Sequence, residues 1–104
     1  MTTIKQRAML ESRLQTYFVR KCKDAGVYAI KVVSVGRRGF PDVVVIIDGK
    51  VRFVELKQEL KGRLSFPQMR TIAEMEGAGG DVDVLYGVPD VLVWCSTFLP
   101  KPKP

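Results

Sequence analysis

Two hydrophobic periods divide the chain. Over its first quarter, at about 100° per residue, Ile4, Phe18, Cys22 and Ala25 project in one direction, with Ala8, Leu10, Leu14 and Tyr17 flanking them. Lys5, Arg13, Arg20 and Lys23 occupy the opposite face. Thr3-x-x-Gln6 has the form of a capping box, so a helix is expected from there to about Ala25, with Gly26 just past its end. Glu11 falls in the middle of the apolar stripe.

The pattern then changes to short β-branched runs. Val27 to Val33 predicts one strand, Val43 to Ile47 a second and Lys50 to Lys57 a third. The second is apolar on both faces and is expected to be central in a sheet. Asp48-Gly49 predicts a two-residue hairpin that makes the second and third strands antiparallel. Ser65-x-x-Gln68, with Pro67 in the first turn, predicts a helix to about Glu76, ended by Gly77-Ala78-Gly79-Gly80. Val82 to Tyr86 predicts a fourth strand. Pro89-Asp90 is expected to open a terminal helix with Asp90 as N-cap, in preference to a strand over Val91 to Cys95. The order predicts an α/β architecture, a mixed central sheet of about four strands flanked by helices. One domain is expected over 1–98, followed by a Pro/Lys tail at 99–104.

Composition narrows the function. The excess of 17 Lys and Arg over 11 Asp and Glu, a net +6, favours a polyanionic partner over charge for solubility alone. Histidine is absent, which removes His triads and His-ligated zinc, so a general base would have to be Asp, Glu, Lys or Tyr. Cys22 and Cys95 lack metal-ligand spacing and are expected to be reduced thiols of a cytoplasmic protein. No apolar run is long enough for a membrane span, and the N-terminal sequence lacks an apolar signal core.

Candidate chemistry lies around the hairpin. Alternation puts Val51, Phe53, Glu55 and Lys57 on one face of the third strand, with Glu55 and Lys57 about 7 Å apart along the backbone. The Asp48-Gly49 turn returns the chain so that Asp42 meets Glu55 at the hairpin's open end. Two carboxylates there repel, and a divalent cation resolves the repulsion. With the backbone carbonyl of Leu56 they form a hard oxygen donor set suited to Mg²⁺ or Mn²⁺. Lys57 would assist a nucleophilic water or stabilise phosphate charge. The plainer alternative is a loop-ending Asp42 and an exposed Glu55–Lys57 pair on an edge strand. Glu11 is either a third acidic group reaching the ion, directly or through water, or a helix-edge residue paired with Arg7 or Gln15. Gln68 either positions water or phosphate or serves only its cap. Arg37, Arg38, Lys61 and Arg63 are candidate phosphate contacts.

"GFPD" at 39–42, "ELK" at 55–57 and "KGRLSFPQ" at 61–68, with Glu11 ahead of them, resemble the VRR-NUC branch of the PD-(D/E)xK nucleases over Glu11 to Tyr86. The chain is most similar to the stand-alone phage and bacterial members. The resemblance implies a restriction-endonuclease-like fold and Mg²⁺- or Mn²⁺-dependent hydrolysis of DNA phosphodiesters. It implies metal ligation by Asp42 and Glu55, a catalytic Lys57, an accessory Glu11 and a supporting Gln68. It further implies a homodimer that resolves four-way (Holliday) junctions, with no nucleotide cofactor. A flap, nick or general duplex nuclease, a non-catalytic nucleic-acid-binding module and a small antitoxin-like interaction protein are the competing readings.

Overall fold

A computed structural model describes residues 9–33 and 36–101. The element order is α1 (Glu11–Asp24), β1 (Tyr28–Lys31), β2 (Val43–Ile47), β3 (Lys50–Lys57), α2 (Phe66–Gly77), β4 (Asp81–Tyr86) and α3 (Gly87–Phe98). The sheet runs β1-β2-β3-β4, with β1–β2 and β2–β3 antiparallel and β3–β4 parallel. This is the mixed four-stranded α/β sheet expected from the sequence.

Alternation along the strands divides the two sheet faces. Ala29, Val43, Val45, Val54, Leu56 and Leu85 are buried with Leu14, Phe18 and Cys22 of α1 and Val91 and Trp94 of α3. Phe18 and Trp94 meet edge to face at 4.9 Å between centroids. The opposite face carries Val51, Phe53, Glu55 and Lys57 on β3. Its Glu55 end is covered by α2, whereas Val51, Ile46, Tyr28 and Ile30 are exposed towards the hairpin and β1. β2 is therefore internal in strand order, as expected, but only one of its apolar faces is packed.

Several element ends differ from the sequence expectation. The first helix begins at Glu11, with Leu10 extended at its N-cap (φ −60°, ψ 147°). Apolar period alone does not register where a helix starts, so the stripe runs through this break. The expected Thr3–Gln6 cap lies outside the described residues. At the other end Gly26 N–H reaches the Lys23 carbonyl and Val27 N–H the Cys22 carbonyl, the paired bonds of a Schellman stop. β1 is shorter than Val27–Val33 because it is the sheet edge. Its last link to β2 is the Val32 N–H donating to the Asp42 carbonyl at 2.7 Å, and Val33 beyond it is exposed.

The terminal helix forms, but Asp90 is not its N-cap. Tyr86 holds that position, and Asp90, in the first turn, accepts the Tyr86 N–H at 2.7 Å through its side chain. The helix starts earlier because Gly87, at φ +74°, turns the chain directly out of β4. Cys22 and Cys95 are free thiols, and burial pushes the Cys22 thiol up to about 12.

Candidate active site

The hairpin register fixes the centre of the site. Val43 pairs with Val54, so Asp42 and Glu55 stand one step further out at the open end. Asp48 (φ 52°) and Gly49 (φ 76°) make the tight turn that sets this register. Asp42 is held from both sides. Its carbonyl accepts from Val32, just past β1, and its Oδ2 accepts the Leu56 N–H at 2.9 Å. Gln15, one helical turn beyond Glu11, is near enough to lower the Asp42 pKa, as the least of the influences on it.

Glu55 is 1% exposed and Lys57 7%, which removes the reading of an exposed pair on an edge strand. Glu55 Oε2 accepts from Gln68 Nε2 at 3.0 Å and lies 3.5 Å from Lys57 Nζ. Glu55 Oε1 is buried with no hydrogen-bond donor among the described residues. Burial first, then the Asp42 charge, raises the Glu55 pKa to about 8 against the pull of Lys57. Asp42 is also raised by burial, opposed by the Leu56 hydrogen bond and the Lys57 charge.

Gln68 serves its cap and also reaches into the site. Its backbone N–H donates to Ser65 Oγ at 3.2 Å, and its Oε1 accepts the Ser65 N–H at 2.8 Å. That capping box commits the amide oxygen to the helix end and turns the Nε2 donor towards Glu55. Glu11 accepts the Gln58 N–H at 3.2 Å and lies 3.8 Å from Lys57 Nζ. It thus joins the constellation through Lys57 and the backbone beyond it. Among the described residues no three Asp, Glu, Cys or His side chains converge as a ready cation cage.

The loop into Asp42 is locked against α2. Gly39 has φ +79°, and a Cβ there would lie 2.4 Å from Pro67 C and O and 2.6 Å from Gln68 N. Only glycine permits this approach without displacing the helix start. The buried Thr71 donates to the Arg38 carbonyl at 2.8 Å and accepts from Arg37 Nε at 3.2 Å. Arg37 also pairs with Glu74. Sequence reasoning missed Thr71, Glu74 and the reach of Gln15. The spacing of Gln15 at i+4 from Glu11 is the signal that could have found it; Thr71 and Glu74 carry none.

The four candidate phosphate-binding residues divide into two sets. Arg37 and Arg38 line one groove with Arg70, Phe66 and Pro67. Lys61 and Arg63 are exposed in the connection between β3 and α2, where Arg63 donates to the Gly62 carbonyl at 2.8 Å.

Comparison with known proteins identifies the family. The VRR-NUC domain family model matches residues 5–89. The chain is 37% identical over 81 residues to "Putative nuclease p44" of Acyrthosiphon pisum secondary endosymbiont phage 1, covering 76% of this chain and 85% of that protein. A solved VRR_NUC domain superposes with a TM-score of 0.74 at 28% identity, over 83% of this chain and 94% of that one. The chain belongs to the VRR-NUC nuclease domain family.

Proposed function

We propose that the chain is a divalent-metal-dependent DNA endonuclease acting at Asp42, Glu55 and Lys57. The observation that carries this reading is the pairing of half-buried Asp42 with buried Glu55, whose Oε1 has no donor among the described residues. An oxygen-rich donor set of this kind fits Mg²⁺ or Mn²⁺ rather than a softer ion. Asp42, Glu55 and the Leu56 carbonyl would hold the cation. When bound, it supplies Lewis-acid charge at the scissile phosphate and acidifies a water. Gln68 orients Glu55. Lys57, flanked by Glu55 and Glu11, is best assigned to stabilising the charge that develops on the phosphate. Glu11 steadies Lys57 and the Gln58 backbone. Arg37, Arg38, Lys61 and Arg63 are assigned to backbone phosphates, with Arg37 the weakest candidate because Glu74 already meets its charge.

The finer reading is a homodimer cutting branched DNA, including four-way junctions, with one site for each of two strands. The exposed apolar residues Tyr28, Ile30, Ile46 and Val51 on one sheet face support self-association.

The test uses labelled four-way, flapped, nicked and linear DNA with Mg²⁺, Mn²⁺ or EDTA. Cleavage is expected only with metal. Asp42→Asn and Glu55→Gln are each expected to lower it at least about 100-fold, the scale of losing one electrostatic contact to a transition state, while DNA binding in EDTA persists. Unchanged cleavage in both variants would remove the site assignment. Binding without cleavage by the wild type would favour a non-catalytic module, and the ranking of the four substrates separates junction resolution from flap, nick or duplex cutting.

A further inference from the structure

Beside the candidate active site lies a groove of about 320 Å³ lined by Gly36, Arg37, Arg38, Phe66, Arg70 and Thr71. Phe66, the first residue of α2, is 82% exposed. A phenylalanine in water at this position is unexplained by packing, because the buried residues of α2 are Thr71 and Ile72. Three arginines line the groove with it. Arg37 is committed to Glu74 and Thr71, whereas Arg38 and Arg70 form no ion pair among the described residues.

The groove is a built feature. Its two walls are the 36–41 loop and the first turns of α2. They are fixed to each other by the close approach of Gly39 to Pro67, the Thr71 bond to the Arg38 carbonyl and the Arg37–Glu74 pair. Both walls also run into the candidate active site. The loop leads into Asp42, and Gln68, two residues after Phe66, touches Glu55. A rigid aromatic with adjacent unpaired guanidinium groups matches the chemistry of a single nucleotide, a base for the ring and a phosphate for the cations. A base inside a duplex keeps its faces stacked on its neighbours and cannot offer one to Phe66.

We propose that Phe66, together with Arg38 and Arg70, binds an unpaired nucleotide of the DNA strand beside the scissile phosphate. Phe66 stacks on the base while Arg38 and Arg70 take the flanking phosphates. This deepens the nuclease reading and rests on it, since it names the substrate feature that the same site selects: a strand with a base unpaired at or next to the cleavage point.

Binding in EDTA tests this without cleavage. Wild type, Phe66→Ala and Phe66→Trp are titrated with single-stranded oligothymidylate and with blunt duplex of equal length, read by fluorescence anisotropy. Phe66→Ala is expected to weaken single-strand binding about tenfold, within the range for one lost base–aromatic stack, and to leave duplex affinity within about twofold. Phe66→Trp is expected to retain wild-type affinity, and its new indole to be quenched by the single strand but not by the duplex. The native Trp94 is buried and supplies a constant background. Equal single-strand affinity in Phe66→Ala and wild type, an equal loss on both ligands, or an unquenched indole would each overturn the proposal. The first of these is the result expected of an aromatic that docks a protein. Since nothing is cut in EDTA, a failure of the nuclease reading, seen as no cleavage of any substrate with metal, stays separate from all of these outcomes.

Discussion

Glu55 is buried between a like charge and a cation, and its proton balance follows from that position. Its folded pKa of about 8 lies above the ordinary 4.5, so between those values the folded chain keeps a proton that the unfolded chain has released. The resulting stability is fully present below about 4.5 and is lost as pH rises through about 8. Asp42, also raised, acts in the same direction. In EDTA the melting temperature of the wild type is therefore expected to fall between pH 5 and pH 8.5 by several degrees more than that of Glu55→Gln, measured by calorimetry. Mg²⁺ or Mn²⁺ should raise it more at the alkaline end, where both carboxylates are free to bind. Parallel curves for wild type and variant would show that Glu55 is not the group responsible. The meeting of Asp42 with Glu55 was legible in the sequence because strand alternation and an Asp-Gly turn are local rules. The meeting of Glu11 with Lys57 and the commitment of Arg37 to Glu74 were not, because both depend on where a helix is docked against the sheet.

Element types were legible for the same reason, and element ends less so. Ser65 and Gln68 gave the start of α2 correctly because a capping box is itself the terminus. The start of α1, the length of β1 and the cap of α3 are set by neighbours in space. The connection between β3 and α2 shows how strongly such neighbours act. Gly62 N–H closes on the Gln58 carbonyl at 3.0 Å, and a Cβ at Gly62 would lie 2.5 Å from that oxygen and 2.8 Å from Lys57 Cβ. The glycine in "KGRLS" is thus a packing requirement that lets the chain fold back over the catalytic candidate. Gly62→Ala is expected to cost about 1–3 kcal/mol in urea unfolding, the usual range for overpacking, and to slow cleavage by disturbing Lys57 and the Gln58–Glu11 bond. Gly77→Ala, a helical position with nothing within 4 Å of the new methyl, is the control and should be neutral or slightly stabilising. Equal stability of the two variants would mean that the connection simply moves aside.

At the scale of the molecule, the two sheet faces have different work. One is closed by α1 and α3 and supplies the core. The other holds the site at its α2 end and an exposed apolar area at its hairpin end. Register aligns Tyr28, Ile46 and Val51 in one row across β1, β2 and β3, and Ile30, Val44 and Phe53 in the next. Phe40 lies edge-on to Phe53, 5.6 Å between centroids, and separates this area from the site. A contiguous apolar patch on an otherwise basic chain is costly in water and is relieved by covering it. Net charge of +6 opposes self-association at long range, so a dimer formed here should be tighter at higher salt, while DNA binding weakens. Light scattering is expected to give twice the chain mass for the wild type and the single-chain mass for Ile46→Lys/Val51→Lys. The variant should retain its circular dichroism, since both substituted side chains are exposed. A single-chain mass for the wild type at about 100 μM in 0.5 M salt, where the Debye length is well under 10 Å, would exclude paired cutting by two copies joined at this face. The one site would then have to act on one strand at a time, as a flap or nick nuclease does.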